Sequence, residues 1–330
     1  MLGGLRDGLN RTVEYLRISV TDRCNLRCRY CMPPEGIARK SHDDILRYEE
    51  IVRAVRAVVP LGLTRVRLTG GEPLVRPGLP SLVRMLGAVE GLRDIALTTN
   101  GQLLAEHAPE LHEAGLRRIN VSLDTLRPDR YRDVTLGGEI EPVFEGLDAV
   151  RALGFSPIKI NAVMIRGMNE DEAADFARLT LEEPYDVRFI EYMPMGQTGF
   201  WSPEAVVPEA ETRAAVETLG PLGPAPMPAT SRGGEAWRLP GARGTIAFIS
   251  PVSQPFCGQC NRLRLTADGK LRPCLLSDQS IDLRAILRAG ACESYIRAAF
   301  AEAALGKPEG HRLTEGVTCP TITPMTAIGG

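Results

Sequence analysis

The sequence holds eight cysteines, and six of them fall into two groups of three. Cys24, Cys28 and Cys31 are spaced C-x3-C-x2-C, and Cys257, Cys260 and Cys274 are spaced C-x2-C-x13-C. A structural zinc site is closed by four protein ligands, and neither segment offers an evident histidine as the fourth. A cubane of four irons held by three thiolates instead leaves one iron open to a small molecule. The competing reading at each triad is a zinc knuckle that borrows a ligand from elsewhere; Cys257 and Cys260, followed by a hairpin, could form a ribbon-like one. A chain of 330 residues needs no disulfide staples, so the thiols read as reduced and available for metal. Cys292 and Cys319 stand apart from both triads and read as structural or incidental.

The elements that must hold these groups alternate between strand-like and helical runs through the first two thirds of the chain, the pattern of repeated βα units on a parallel sheet. Strands are expected over 15–20, 65–69, 94–99, 118–123, 158–163 and 187–191, with helices over 49–58, 79–89, 103–114, 142–153 and 171–181. Six units are too few for a closed eight-stranded barrel. The expected fold is therefore α/β, an open partial (β/α)6 TIM-like barrel whose lumen is sealed by a C-terminal cluster-binding extension. The boundary is expected near the proline-rich linker 221–228, giving a 1–220 barrel domain and a 221–330 region. In that region 237–250 reads as one or two strands, 261–276 as a hairpin turned at Asp268-Gly269, and 293–304 as a helix. Ligand sites of parallel α/β folds gather where strands end, and the Cys24 loop and Thr69-Gly70-Gly71-Glu72-Pro73 both follow strands.

Residues two apart on a strand share a face. The alternation sets Arg17, Arg67, Asn120, Ser122 and Lys159 opposite Leu16, Ile18, Leu68, Val121 and Ile160. The apolar face suits covering helices, so the polar face lines the lumen. Cations there, Arg188 included, require a counter-charge: a local acid for each, or one anionic ligand whose oxygens the guanidinium forks would bind.

Composition removes other classes. A formal charge of −2, from 39 basic and 41 acidic residues, argues against binding nucleic acid through bulk positive charge. The longest apolar stretches, such as 57–63, fall short of the ~18 residues of a membrane span and contain Pro60 and Gly62. Residues 1–11 carry charges and glycines with no apolar signal region, so a cytoplasmic protein is expected. His42, His107, His112 and His311 lie outside the motifs and read as surface residues.

The first triad, with Tyr30 just before its last cysteine and Gly70-Gly71-Glu72-Pro73 downstream, resembles that of the radical S-adenosylmethionine (SAM) superfamily. There the open iron is chelated by the amino and carboxylate groups of SAM, the glycine backbone meets the SAM amino group and the aromatic residue lies near the adenine. By that resemblance these roles fall on Gly70, Gly71 and Tyr30. Both triads together, Arg262-Leu263-Arg264 directly after Cys260-Asn261, and Gly329-Gly330 at the end resemble the GTP 3′,8-cyclases of molybdenum cofactor biosynthesis over nearly the whole length.

The resemblance implies two [4Fe-4S] clusters on Cys24, Cys28, Cys31 and on Cys257, Cys260, Cys274, and SAM cleaved at the first to a 5′-deoxyadenosyl radical. That radical abstracts the 3′ hydrogen of GTP, and the ribose radical attacks guanine C8 to give 3′,8-cyclo-7,8-dihydro-GTP. Arg17, Arg67, Thr98, Lys159, Arg262, Leu263 and Arg264 would contact GTP. Ser122, Met193, Gly71 and Tyr30 would line the SAM site, and Arg188 would serve either the phosphates or the SAM carboxylate. Arg17, Arg262, Arg264 and the Gly329-Gly330 tail would stand at the reacting centre. The implied partners are a reductant protein, a downstream cyclic pyranopterin monophosphate synthase and a second copy in a homodimer. A radical SAM peptide maturase with an auxiliary cluster and a non-catalytic zinc-binding module are the competing readings; a peptide would not need the lumen cations.

Overall fold

The structure is a computed structural model and describes residues 4–33, 35–195, 200–226, 235–311, 313, 321 and 323–329. In chain order the elements are β1 (Tyr15–Ser19), α1 (Tyr48–Val58), β2 (Arg65–Thr69), α2 (Leu79–Gly87), β3 (Asp94–Thr99), α3 (Leu104–Glu113), β4 (Arg118–Ser122), α4 (Pro128–Thr135), α5 (Glu141–Ala152) and β5 (Ile158–Met164). They continue with α6 (Ala173–Glu182), β6 (Tyr185–Glu191), α7 (Glu209–Glu217), β7 (Gly223–Ala225), β8 (Ala236–Arg238), β9 (Thr245–Ile249), β10 (Arg262–Leu265), β11 (Lys270–Arg272), β12 (Ile281–Asp282), α8 (Leu283–Arg288), α9 (Glu293–Leu305) and α10 (Met325–Ile328).

All strands join one sheet in the order β12-β11-β10-β1-β2-β3-β4-β5-β6-β9-β8-β7, which does not close on itself. The six βα strands are contiguous and parallel at its centre, as the alternation predicts. The C-terminal region does more than cover this partial barrel. It adds β10 parallel to β1 at one edge and β9 parallel to β6 at the other, each continued by antiparallel strands. The hairpin at Asp268-Gly269 is β10–β11, in the register Leu265↔Leu271.

Leu16, Ile18, Val66, Leu68, Leu97, Val121, Ile160 and Val187 are fully buried in the core between sheet and helices, where each contributes about 1.5–3 kcal/mol. The α1 helix starts where Arg47 N–H donates to Glu50 Oε2 at 2.7 Å, with Glu49 and Glu50 set against the positive helix end. The same Glu50 accepts Arg288 Nε at 2.8 Å, and Arg297 Nε donates to Ala57 O at 2.8 Å. These bonds fasten α8 and α9 to the first βα unit.

The α4 helix was not expected from the sequence. Its segment PDRYRDVT is too polar for an apolar stripe, and only Tyr131, Val134 and Thr135 are buried. Its last carbonyls carry the cysteine loop: Val134 O accepts Arg29 N–H at 3.0 Å and Thr135 O accepts Arg27 N–H at 3.1 Å.

Candidate active site

The Cys24–Cys31 loop leaves the C-terminal end of β1 and is laid directly on the glycine segment after β2. Gly71 N–H donates to Thr21 O and Glu72 N–H to Arg23 O, both at 2.8 Å. A Cβ on Gly71 would lie 2.3 Å from Arg23 O, and one on Gly70 2.8 Å from Thr21 O. The two glycines are there because backbone meets backbone. Glu72, buried, accepts Leu74 N–H at 3.0 Å, Thr99 Oγ1 at 2.7 Å and Asn100 N–H at 2.6 Å. Burial outweighs those bonds and pushes its carboxyl up to about 7. Asn100 then reaches the loop, donating to Asn25 Oδ1 at 2.9 Å and to Cys24 Sγ at 3.8 Å, while Leu26 N–H donates to Cys24 Sγ at 3.4 Å.

The three thiols are free neighbours. Burial and then mutual repulsion hold Cys28 well above the usual thiol range and push Cys31 up to about 12; burial, chiefly, pushes Cys24 up to about 11. Such thiols shed their protons to a metal rather than to water. Among the described residues no three His, Cys, Asp or Glu side chains converge as a single ion would require. Neighbouring, half-buried thiols with N–H donors on sulfur have the donor chemistry that an iron–sulfur group takes.

Beneath the loop a cavity is lined by Cys28, Tyr30, Asn100, Ser122, Asp124 and Tyr131, among others. Tyr30 Oη donates to Asp124 Oδ2 at 2.5 Å, and its ring meets Tyr192 edge-on at 6.1 Å. Asp124 is fixed in turn by Val163 N–H on Oδ1 at 2.8 Å and by Asn169 Nδ2 on its carbonyl at 2.6 Å. Met193 packs on the apolar cluster of Met195, Leu276 and Ile328.

In the lumen the strand register aligns the cations. Arg264, Arg17 and Arg67 stand side by side on β10, β1 and β2, and Thr98, Asn120 and Lys159 on β3, β4 and β5. Burial, followed by the neighbouring Arg264 and Arg67, holds Arg17 well below the usual guanidinium range. Burial and then Arg262 bring Arg264 down to about 10, and burial and then Arg67 bring Arg188 down to about 10. Lys159, 2% exposed, has Asp186 at 3.8 Å, yet burial and Arg188 lower it to about 6. The Nε of Arg67 and the Oδ1 of Asn161 are buried without a hydrogen-bond partner. Cations pressed together in this way suit a polyanion that would restore their charge. Leu263 departs from the expected set: its side chain is fully buried in the core, on the face opposite Arg262 and Arg264, leaving only its backbone for a ligand.

The second triad sits at the other end of the lumen from the first. Because β10 runs parallel to β1, Cys260, which precedes β10, lies by the start of β1, where Glu14 and Tyr15 N–H donate to Asn261 O at 3.2 and 3.3 Å. The five residues of β1, at ~3.3 Å each, separate the triads by roughly 16 Å of strand. Sequence reasoning set the Cys24 loop and the glycine segment at the C-terminal ends of strands and gave the second triad no end of the lumen. It missed this because the direction of β10 cannot be read from a hairpin signature.

Residues outside the motifs hold the second triad. Arg11 Nη1 donates to Cys257 O at 2.6 Å and its Nε pairs with Asp7 at 2.5 Å. Glu191 accepts Val252 N–H at 2.9 Å and Ser253 N–H at 2.8 Å, fixing the approach to Cys257. His311, expected on the surface, bonds the Cys257 sulfur through its backbone N–H and meets Pro251 O at 2.6 Å through Nε2. Lys307 Nζ donates to Cys260 Sγ at 3.4 Å; burial pushes this thiol up, but Lys307 and Arg262 outweigh it and leave it below the usual range. Cys292 is exposed at the start of α9. Cys319 and Gly330 lie outside the described residues. Gly329 is inside the lumen, packed on Ser19 and Thr69.

The Radical SAM superfamily model matches residues 18–180, and the Molybdenum Cofactor Synthesis C model matches residues 185–313. In fold the chain is similar to Streptococcus suis SuiB bound to S-adenosylmethionine, at a TM-score of 0.60 and 15% identity, with 85% of this chain covered. It spans 66% of that chain's length. The same protein bound to precursor peptide SuiA gives a TM-score of 0.62 at 14% identity over 94% of this chain and 68% of that one. At these identities the likeness concerns fold alone. In sequence the chain is 51% identical to a GTP 3′,8-cyclase of Moorella thermoacetica over 99% of its own length and 100% of the relative's. It is equally identical, over the same shares, to one of Pelotomaculum thermopropionicum, and 47% identical to one of Thermodesulfovibrio yellowstonii. With half its residues identical to such relatives over almost its whole length, the chain belongs to the GTP 3′,8-cyclase family of the radical SAM superfamily.

Proposed function

We propose that this chain converts GTP to 3′,8-cyclo-7,8-dihydro-GTP, an early step of molybdenum cofactor biosynthesis, in the lumen between its two triads. The observation that carries the reading is the row Arg264, Arg17, Arg67, midway between a cysteine triad at each end of the same strands. Cys24, Cys28 and Cys31 would hold one [4Fe-4S] cluster, and Cys257, Cys260 and Cys274 a second. Once bound, the first cluster and SAM supply a carbon radical able to remove a hydrogen atom from a sugar.

The protein's own part is positioning. Tyr30 and Ser122 line the cavity assigned to SAM, and the backbone of Gly70 and Gly71, against the cysteine loop, would meet the SAM amino group. Arg17, Arg67, Lys159, Arg262 and Arg264 match a triphosphate's about four negative charges in a partly dehydrated chamber, where charge-assisted bonds are strong. Thr98 adds a neutral contact on the same face, and Arg188, beside Asn161, serves the phosphates or the SAM carboxylate. Gly329 closes the chamber next to Arg264. In this division residues 1–220 carry SAM and residues 221–330 carry the second cluster and part of the substrate site. The reading requires an external electron donor for the clusters and a cyclic pyranopterin monophosphate synthase to take the product.

The test is anaerobic incubation of reduced protein with SAM and either GTP or ATP, following 5′-deoxyadenosine and cyclised nucleotide. GTP-dependent formation of both supports the reading. Equal 5′-deoxyadenosine with ATP, or a chain that takes up iron for one cluster only, refutes it.

A further inference from the structure

Lys307 follows the C-terminal end of α9, outside every motif, and is 7% exposed. Its ammonium has three hydrogens, and the structure gives it three acceptors: Cys260 Sγ at 3.4 Å, Arg262 O at 2.8 Å and Pro273 O at 3.3 Å. Two of these residues flank the entry to β10, and Pro273 precedes Cys274 at the exit of β11. One buried nitrogen therefore spans both ends of the hairpin that brings Cys260 and Cys274 together.

No carboxylate pairs with Lys307 among the described residues, and a buried ammonium without an anion is costly. The partner within reach that becomes an anion on taking a metal is the Cys260 sulfur. We propose that Lys307 is a positioning residue for the second cluster, holding the Cys260 sulfur and raising that cluster's reduction potential. The physical ground is general: donors and positive charge at a cluster sulfur stabilise the reduced, more negative state. The inference rests on the assignment of a cluster to the second triad.

The experiment uses the full-length chain carrying Cys24→Ala, Cys28→Ala and Cys31→Ala, so that the second triad alone gives the signal. It is reconstituted anaerobically with iron and sulfide and titrated redox-potentiometrically, with electron paramagnetic resonance as the readout. Lys307→Met is expected to move the midpoint to a more negative potential at unchanged iron content. Lys307→Gln, which keeps a donor without the charge, is expected between Met and wild type, and Lys307→Arg near wild type. A midpoint in Lys307→Met and Lys307→Gln equal to that of the parent overturns the proposal. If Lys307→Met fails to assemble, Lys307→Gln decides by the same criterion, and cluster loss from both Gln and Arg variants also overturns it, since the residue would then serve only the fold. A parent chain that takes up no iron and sulfide refutes the cluster assignment itself, an outcome distinct from a cluster whose potential ignores Lys307.

Discussion

The carbonyl oxygen of Gly329 accepts a hydrogen bond of 2.7 Å from Nη1 of Arg264. The chain's last described residue thus touches a cation on the strand that carries the second triad, and it does so within the lumen. Gly329 has φ +82, and a Cβ there would lie 2.4 Å from Thr69 Cγ2 and 3.3 Å from Ser19 Cβ. These neighbours are paired across β1 and β2, so the tail tip is pressed onto the lumen face of those two strands, against their side chains.

Gly329→Ala should therefore expel the tail while leaving the sheet intact. Cyclised product should fall at least tenfold, with the melting temperature little changed, because α10 has only four residues. Activity within twofold of wild type in a nucleotide assay would show that this contact has no part in turnover.

Gly71→Ala tests the other close approach. Here the obstacle is a backbone oxygen, Arg23 O at 2.3 Å, and overpacking of this kind costs about 1–3 kcal/mol or displaces the loop. The displaced loop is the one bearing Cys24. Iron should drop by about half per chain, the second cluster being retained. Equal iron loss from both triads would point to general misfolding instead.

Much of this site was legible beforehand, for physical reasons that also mark where legibility ends. Strand alternation placed Arg17, Arg67 and Lys159 on one face because the period of two is a property of the extended chain. The glycines at 70 and 71 were legible as a motif, while their steric reason, the carbonyls of Thr21 and Arg23, was not, because it depends on how two loops meet. Likewise β9 and β10 were expected as strands, but nothing local to Thr245–Ile249 or Arg262–Leu265 states which edge of the sheet each will join. Lys307 and Glu191 carry no pattern at all; their roles come from acceptors and donors far away in sequence. The helix α4 escaped notice for want of an apolar stripe.

Tyr30→Phe removes the donor to Asp124 Oδ2 and leaves a buried carboxylate oxygen without its bond, at a cost of about 1–3 kcal/mol. Asp124→Asn should be milder, since the amide can donate to the tyrosine oxygen while its own oxygen still accepts Val163 N–H. The expected order of melting temperatures is wild type, Asp124→Asn, Tyr30→Phe. Tyr30→Phe as stable as wild type would mean that the short bond contributes nothing to the cavity's shape.

Lys159 makes the lumen's charge depend on pH. Its ordinary value of 10.5 falls to about 6, through burial first and then Arg188, so the free protein holds it largely neutral at pH 7.5. The sign for stability follows: between about 6 and 10.5 the unfolded chain binds a proton that the folded chain refuses, so this residue's contribution to stability is present above 10.5 and is lost as pH falls toward 6. Ligand binding works in the opposite direction. A triphosphate beside the amine favours its charged form, so GTP should bind with uptake of up to about one proton per site at pH 7.5, and its affinity should weaken as pH rises, by at most about tenfold per unit. Calorimetric titration of GTP in two buffers of different ionisation enthalpy measures the uptake directly. Lys159→Met should reduce it to near zero and flatten the pH dependence above pH 7, where the nucleotide's own phosphates have ceased to titrate. Equal proton uptake by the variant and the wild type would place the titrating group elsewhere in the lumen.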